Sequence, residues 1–226
     1  MKKVTAAIST ALIFCFSLQL PTIAIPGPHK EVRRSADVFY EMLEDDNTAI
    51  PAWLMRRSEA IAIITNLSQG GFFIGGRRGD GVIVSRYSNG VWSNPAFINL
   101  TGGSIGFQAG VKSSDLVLVF PSRRALQELL RDDVEFGGNI SGTAGPVGRS
   151  AREPLEGFDD DRVYVYSRSK GLFGGVTLEG SDLSVDEDEN QKFYGQPVTV
   201  RQILTQRSLS APRIVDSLRQ ALRNAE

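Results

Sequence analysis

Gly81-Val82-Ile83-Val84-Ser85-Arg86-Tyr87-Ser88-Asn89-Gly90-Val91-Trp92 is the stretch that decides the fold of this chain. A run of β-branched residues leads into Asn-Gly, the pair that most readily supplies the backbone of a tight hairpin turn. Working outward, the chain from Ile61 to Phe120 repeats the pattern, with apolar runs such as Leu116-Val117-Leu118-Val119-Phe120 separated by Gly-Gly, Asp-Gly and Asn-Gly pairs. These are strands joined by short turns. The glycines of Gly70 to Gly81 fit turns and crowded strand positions, because no Gly-Lys-Ser/Thr ending and no following helix make them a phosphate loop. Gly102 to Val111 reads as a strand approached closely by another backbone.

Helical signals lie on both sides of this block. From Lys30 to Asp46, Val32, Ala36, Phe39, Tyr40 and Leu43 recur at the helical period, with basic residues first and acidic residues last, the reverse of what the helix dipole favours. Pro51 fits the first position of a second short helix. Another helix is expected from Pro121-Ser122 to Arg131, and Arg162 to Tyr166 alternates as a strand continued by Leu172 to Leu178. Val200, Ile203 and Leu204 mark a further helix, and Ile214, Leu218, Ala221 and Leu222 mark the last. Helices, many antiparallel strands, then helices define an α+β fold: a curled antiparallel sheet or barrel-like core flanked by N-terminal and C-terminal helices.

Composition removes most catalytic classes. The chain has 226 residues, with 25 Lys and Arg against 26 Asp and Glu, one His and one Cys. Lys2 and Lys3, the apolar run from Ala11 to Leu20 and the small residues up to Ala24 read as a secretory signal peptide, removed near Ala24, so that a secreted or periplasmic chain is expected. Removal leaves 23 basic residues against 26 acidic, a net charge of −3, with no cysteine. No nucleic-acid partner is expected from that balance. His29 lies just past the expected cleavage point and reads as an exposed tail residue, too poorly placed for triad chemistry or zinc.

Three local patterns invite chemistry. Asp186-Glu187-Asp188-Glu189-Asn190 opens like a calcium loop, but Gln191 and Pro197 stand where Gly and Glu are needed, which leaves a solvated acidic turn. Ser169 and Lys170 would point to opposite faces of a strand, so a Ser-Lys nucleophile is disfavoured. Arg168 and Lys170 would share a face beside a glycine turn, an arrangement suited to an anionic headgroup, although a solvated strand end or an internal ion pair would use the same residues. No metal site and no cofactor is expected.

Trp92-Ser93-Asn94-Pro95, Gly138 to Ser141 with Ala144 to Arg149, Tyr166 to Gly180, and Asn190 to Gly195 occur in an order that resembles the SYLF domain family, in the manner of a secreted bacterial-type member. The resemblance covers roughly Pro51 to Leu222. It divides the chain into a signal peptide (1–24), an N-terminal helix and linker (25–50) and a SYLF-like lipid-binding domain (51–226). It implies a non-enzymatic domain that binds anionic lipid headgroups or phosphoinositide-like ligands at a membrane surface in the cell envelope; eukaryotic relatives also include actin-binding proteins. Headgroup contacts are implied at Arg149, Arg168 and Lys170, and Arg77, Arg78 and Lys112 are added from charge alone. The implied partner is an anionic lipid or membrane surface, and no actin is expected in that compartment. The alternative is an envelope protein-interaction or scaffolding module using a surface around Trp92 and Phe97. A carboxylate hydrolase at Glu153, Glu156 or Asp182 is the remaining reading.

Overall fold

The structure is a computed structural model that describes residues 27–46, 48–72, 74–105, 112–131, 134–138, 140–147, 158–169 and 178–226. The expected signal peptide therefore lies outside the described residues. Helices α1 (Pro28–Glu44) and α2 (Ala52–Arg57) lead into strands β1 (Ala60–Phe72), β2 (Ile74–Ser85), β3 (Ala96–Ile105) and β4 (Lys112–Phe120). Then come α3 (Arg123–Leu129), β5 (Val134–Phe136), β6 (Gly142–Ala144), β7 (Val163–Ser169) and β8 (Ser181–Val185). Helices α4 (Glu187–Tyr194), α5 (Val200–Thr205) and α6 (Val215–Asn224) follow.

The strands form one sheet in the order β5-β8-β3-β2-β1-β4-β7-β6, antiparallel throughout except for the parallel β6–β7 pair. Its two edges are drawn together: Phe136 of β5 bridges to Ile140, Gly137 N donates to Ile140 O (2.9 Å), and Val163 N donates to Ser141 O (3.0 Å) just before β6. The sheet is thus nearly closed, like a barrel, which leaves little edge for unwanted pairing.

Near-closure explains why the central strands are apolar on both faces. Ala60, Ala62 and Ile64 of β1 join Leu116, Leu118, Ile98 and Leu183 inside the curl, where Leu126 and Leu129 of α3 and Ile203 and Leu204 of α5 fill the space. Ile61 and Ile63 face outward, and α1 and α6 cover them with Val32, Ala36, Phe39, Leu218 and Leu222. Each fully buried Leu, Ile, Val or Phe side chain contributes about 1.5–3 kcal/mol of transfer free energy, so the two faces together carry the stability of a chain with no disulfide to lean on. No described helix is long and apolar enough to cross a membrane.

The hairpin expected at Asn89-Gly90 is present. Gly90 N donates to Tyr87 O (2.8 Å), Tyr87 N donates to Val91 O (2.9 Å), and Gly90 takes φ +83° while Asn89 keeps a negative φ. That is a three-residue loop closed by a left-handed glycine, and Ser93 to Pro95 then loop before β3 pairs with β2. Close backbone approach is real at Gly102, where a Cβ would lie 2.7 Å from Gly180 O. The strand expected over 172–178 lies outside the described residues except for Leu178, which is buried inside the curl.

Three readings need correction. Asp186 to Asn190 is no solvated turn: Asp186 caps α4 by accepting from Glu189 N (2.8 Å), and acidic residues fill the first turn, where the helix dipole favours them. Asn190 is buried, its Oδ1 accepting from Phe97 N (2.9 Å) and its Nδ2 donating to Asp186 O (2.7 Å), so α4 is tied to β3. His29 is exposed as expected but is no tail residue, because it sits in the first turn of α1 with its ring 5.2 Å from that of Phe193. Trp92 and Phe97 form no surface: both are buried, and the Trp92 indole donates to Glu226 Oε1 (3.0 Å) under the Arg86 guanidinium.

Candidate functional site

The polar centre of the molecule arises where β1 changes character. Past Ile64 the apolar run gives way to Thr65-Asn66-Leu67-Ser68, and pairing slips here against both neighbours: Thr65 pairs with Asp80 and Ser68 with Arg78, while Ile64 pairs with Leu116 and Leu67 with Ser114. This is a β-bulge, with Asn66 and Leu67 together opposite Gly79. Asn66 takes φ +54°, a conformation that Asn tolerates better than other non-glycine residues. Its freed amide donates to Asp115 Oδ1 on β4 (2.9 Å). Gly79 is needed opposite, since a Cβ there would lie 2.6 Å from Ile64 Cγ2.

Asp115 is the hub of a charged network that ties α1 to the sheet. Arg34 of α1 donates to the Asn66 side chain and lies 3.7 Å from Asp115 Oδ1. Arg168, opposite Asp115 in the β4–β7 pair, donates to Asp115 Oδ2 (3.2 Å) through Nη2 and pairs with Glu41 of α1 through Nη1. Burial opposes the Arg168 charge, but the bonds to Glu41 and Asp115 outweigh it and raise the guanidinium pKa.

One turn before Arg34, Glu31 is buried beneath the start of α1 and accepts from Thr65 Oγ1 (2.7 Å). Desolvation pushes its carboxyl up from 4.5 to about 7, against the lowering effects of the Thr65 bond and Arg34. Beside it a cleft of about 240 Å³ opens between α1, β2, β3 and α4, lined by Glu31, Arg78, Asp80, Phe97, Asp186 and Lys192. Among the described residues, no cluster of His, Cys, Asp or Glu is arranged to hold a metal ion.

The basic residues expected to contact a headgroup fall as follows. Arg77 faces inward, buried, with Nη2 donating to Gly103 O (3.1 Å) and Glu179 O (3.4 Å), and burial lowers its pKa. Arg78 faces outward, with its side chain 71% exposed in a loose pair with Asp80 (3.7 Å). Lys112 opens β4 and pairs in register with Gln69, which pairs in turn with Arg77. Lys112, Gln69 and Arg77 therefore form one row across the sheet, and Ser113, Ser68 and Arg78 form the next. Arg168 lies close by, two residues along β4 from that second row and bound to the network just described. Arg149 and Lys170 lie outside the described residues, as do Glu153 and Glu156. Sequence reasoning missed Glu31, Arg34, Glu41, Thr65, Asn66 and Asp115. The usable signals were the carboxylate of Asp115, where the polar Lys112-Ser113-Ser114 start of β4 meets the apolar run from Leu116 to Phe120, and Arg34 and Glu41 seven residues apart on one helix stripe.

The Ysc84 family model, described as "Las17-binding protein actin regulator", matches residues 101–225. Protein YSC84 of Saccharomyces cerevisiae is 36% identical over 196 residues, covering 83% of this chain and 42% of the yeast protein. LAS seventeen-binding protein 3 of the same yeast is 38% identical over 196 residues, with the same coverage of 83% and 42%. The human SH3 domain-containing YSC84-like protein 1 is 32% identical over 180 residues, covering 77% of this chain and 52% of the human protein. The chain spans about half the length of the curated relatives it matches.

Proposed function

The chain belongs to the Ysc84, or SYLF, family, and on that premise we propose that it is a non-enzymatic binding domain whose ligand is an anionic lipid headgroup at a membrane surface. The relatives are named as binding and regulatory proteins, which supports a binding role. The observation that carries the lipid reading is the set of basic residues at one end of the sheet: Arg78 exposed in one cross-strand row, Lys112 in the row beside it and Arg168 on β7, while Arg77 in the Lys112 row is turned inward onto backbone carbonyls. Lys170, next in sequence after Ser169, and Arg149 complete the proposed set, both outside the described residues. Each Lys or Arg near an anionic surface contributes about 1 kcal/mol, so several together give weak, salt-sensitive binding even on a chain of net charge −1. Arg168 would take part through Nη1, the nitrogen that Glu41 occupies, while Asp115 holds the other side of the fork.

The test is co-sedimentation of the purified chain with vesicles of graded anionic lipid content at low and high salt. Binding that rises with anionic content, falls with salt and weakens in the Arg78→Glu, Lys170→Glu variant is the expected result. Absence of binding on every composition sinks the lipid reading. The names of the relatives favour a protein partner as the second reading, and a saturable, lipid-independent partner recovered in a pull-down would put it first.

Export to the envelope is part of the same proposal, resting on Lys2, Lys3 and the apolar run that follows. Sequencing the amino terminus of the protein recovered from extracytoplasmic fractions should begin near Ile25. Recovery only from the cytosol with Met1 intact would overturn it.

A further inference from the structure

The charge of this chain is polarised toward its C-terminal helices. Between Gly195 and Ala225 stand Arg201, Arg207, Arg213, Arg219 and Arg223 with a single acidic residue, Asp216, and no lysine, inside a chain whose overall charge is −1. Arg207, Arg213 and Arg223 are exposed and form no ion pair among the described residues. They belong to the α5–α6 side, where the β2–β3 turn lies, at the end of β2 away from the bulge site.

The cluster is built, not merely exposed. The Arg207 guanidinium lies 5.1 Å from the centre of the Tyr87 ring, and the Tyr87 hydroxyl donates to Gln206 O (3.3 Å). Tyr87 has its pKa raised by burial, against the opposing charges of Arg219 and Arg207. Arg219 is fixed by donating to Asn94 Oδ1 (2.7 Å) and lies 3.7 Å from the exposed Asp216 Oδ1, and Arg223 follows it one turn later on the same stripe of α6. All the cations are arginines, whose planar fork matches carboxylates and phosphates two bonds at a time.

What covers such a strip depends on where the apolar face of α6 points. Val215, Leu218, Ala221 and Leu222 are buried in the core that α6 shares with α1, so no apolar stripe is left to enter a bilayer beside the arginines. An interfacial membrane helix needs that stripe facing lipid. We propose that the α5–α6 side is a docking surface for an acidic segment of a partner protein, with Arg207, Arg213, Arg219 and Arg223 receiving its carboxylates. The surface is separate from the bulge site and does not depend on the lipid reading.

The experiment measures fluorescence anisotropy of a labelled decaglutamate peptide, with a decaglutamine peptide as control, titrated with the full chain at low and moderate salt. Saturable, salt-sensitive binding of decaglutamate alone is expected, weakened at least about tenfold by the triple change Arg207→Glu, Arg213→Glu, Arg223→Glu and left unchanged by Arg78→Glu. A parallel Arg→Gln triple variant, checked for an unchanged melting temperature, separates loss of binding from loss of fold. Equal affinity for the two peptides, or equal loss with Arg78→Glu, overturns the proposal. So does a triple variant that keeps peptide binding and loses binding to anionic vesicles, which would assign the surface to a membrane.

Discussion

The two halves of the β1–β2 hairpin use the same ladder of backbone bonds for opposite ends. From Ala60 to Ile64, paired with Gly81 to Ser85, β1 is apolar and fully buried on both faces. From Thr65 to Gln69, paired with Arg77 to Asp80, the face toward α1 carries hydroxyl and charged groups, the register slips, and Asn66 is exposed with a left-handed backbone. The first half is held by packing that tolerates no added atom. The second is held by directional bonds to α1, each of modest net worth, so it is the half in which a ligand could compete.

The sharpest test of the packing in the first half is to add one carbon inside it and one beyond the second half, where Gly76 pairs with Gly70. A Cβ at Gly81 would lie 2.1 Å from Ile63 O, so Gly81→Ala should cost about 3–5 kcal/mol or prevent folding. At Gly76 the nearest atom to a Cβ is 4.0 Å away, and Gly76→Ala should change stability by less than about 1 kcal/mol in urea unfolding. Equal effects at the two glycines would show that the first half is packed no more tightly than the far end of the hairpin.

Next in size is Asp115→Asn. It leaves an acceptor for the Asn66 amide but removes the charge that holds Arg34 and Arg168, and a loss of about 1–3 kcal/mol is expected, with faster hydrogen exchange in α1. Stability loss without any change in α1 exchange would mean that the network does not fasten the helix.

Glu31 makes the second half pH-dependent. Its carboxyl titrates near 4.5 when unfolded and near 7 when folded, so its contribution is fully present below about pH 4.5, where both states are protonated. It is lost as pH rises toward 7, because the unfolded state gives up its proton first. The shift corresponds to a loss on the order of 3 kcal/mol. Glu31→Gln should therefore be nearly neutral at pH 4.5 and stabilising at pH 8, read from melting temperatures at the two values. Parallel pH profiles for the two proteins would refute this assignment. Smallest of all, Arg78→Ala should shift stability by no more than about 0.5 kcal/mol, because its pair with Asp80 is loose and solvent-exposed.

The strands around Ile61 to Phe120 were legible because a buried strand writes its burial into consecutive residues, and the Asn89-Gly90 turn was legible because its backbone demands a glycine. Asp186 to Asn190 misled because a run of acids composes a solvated turn and a helix first turn equally well. What selects the helix is Asn190 reaching Phe97 N, 93 residues away. Trp92 and Phe97 misled in the other direction, since only the fold brings Arg86 and Glu226 over the indole. The cations at the sheet end were visible as residue types, but Arg168 meets carboxylates at Asp115 and Glu41, distant in sequence, and no local pattern announces such a pairing.

By itself the sequence determined the α+β class, the flanking helices and the central strands, many of the apolar positions that fill the core and the polarised charge of Gly195 to Ala225, all of which follow from local periodicity and composition. Only the tertiary structure decided which cations face inward, which are held by carboxylates and which stand free on α5–α6, because burial and ion pairing are properties of neighbours that the chain brings together only when the sheet curls.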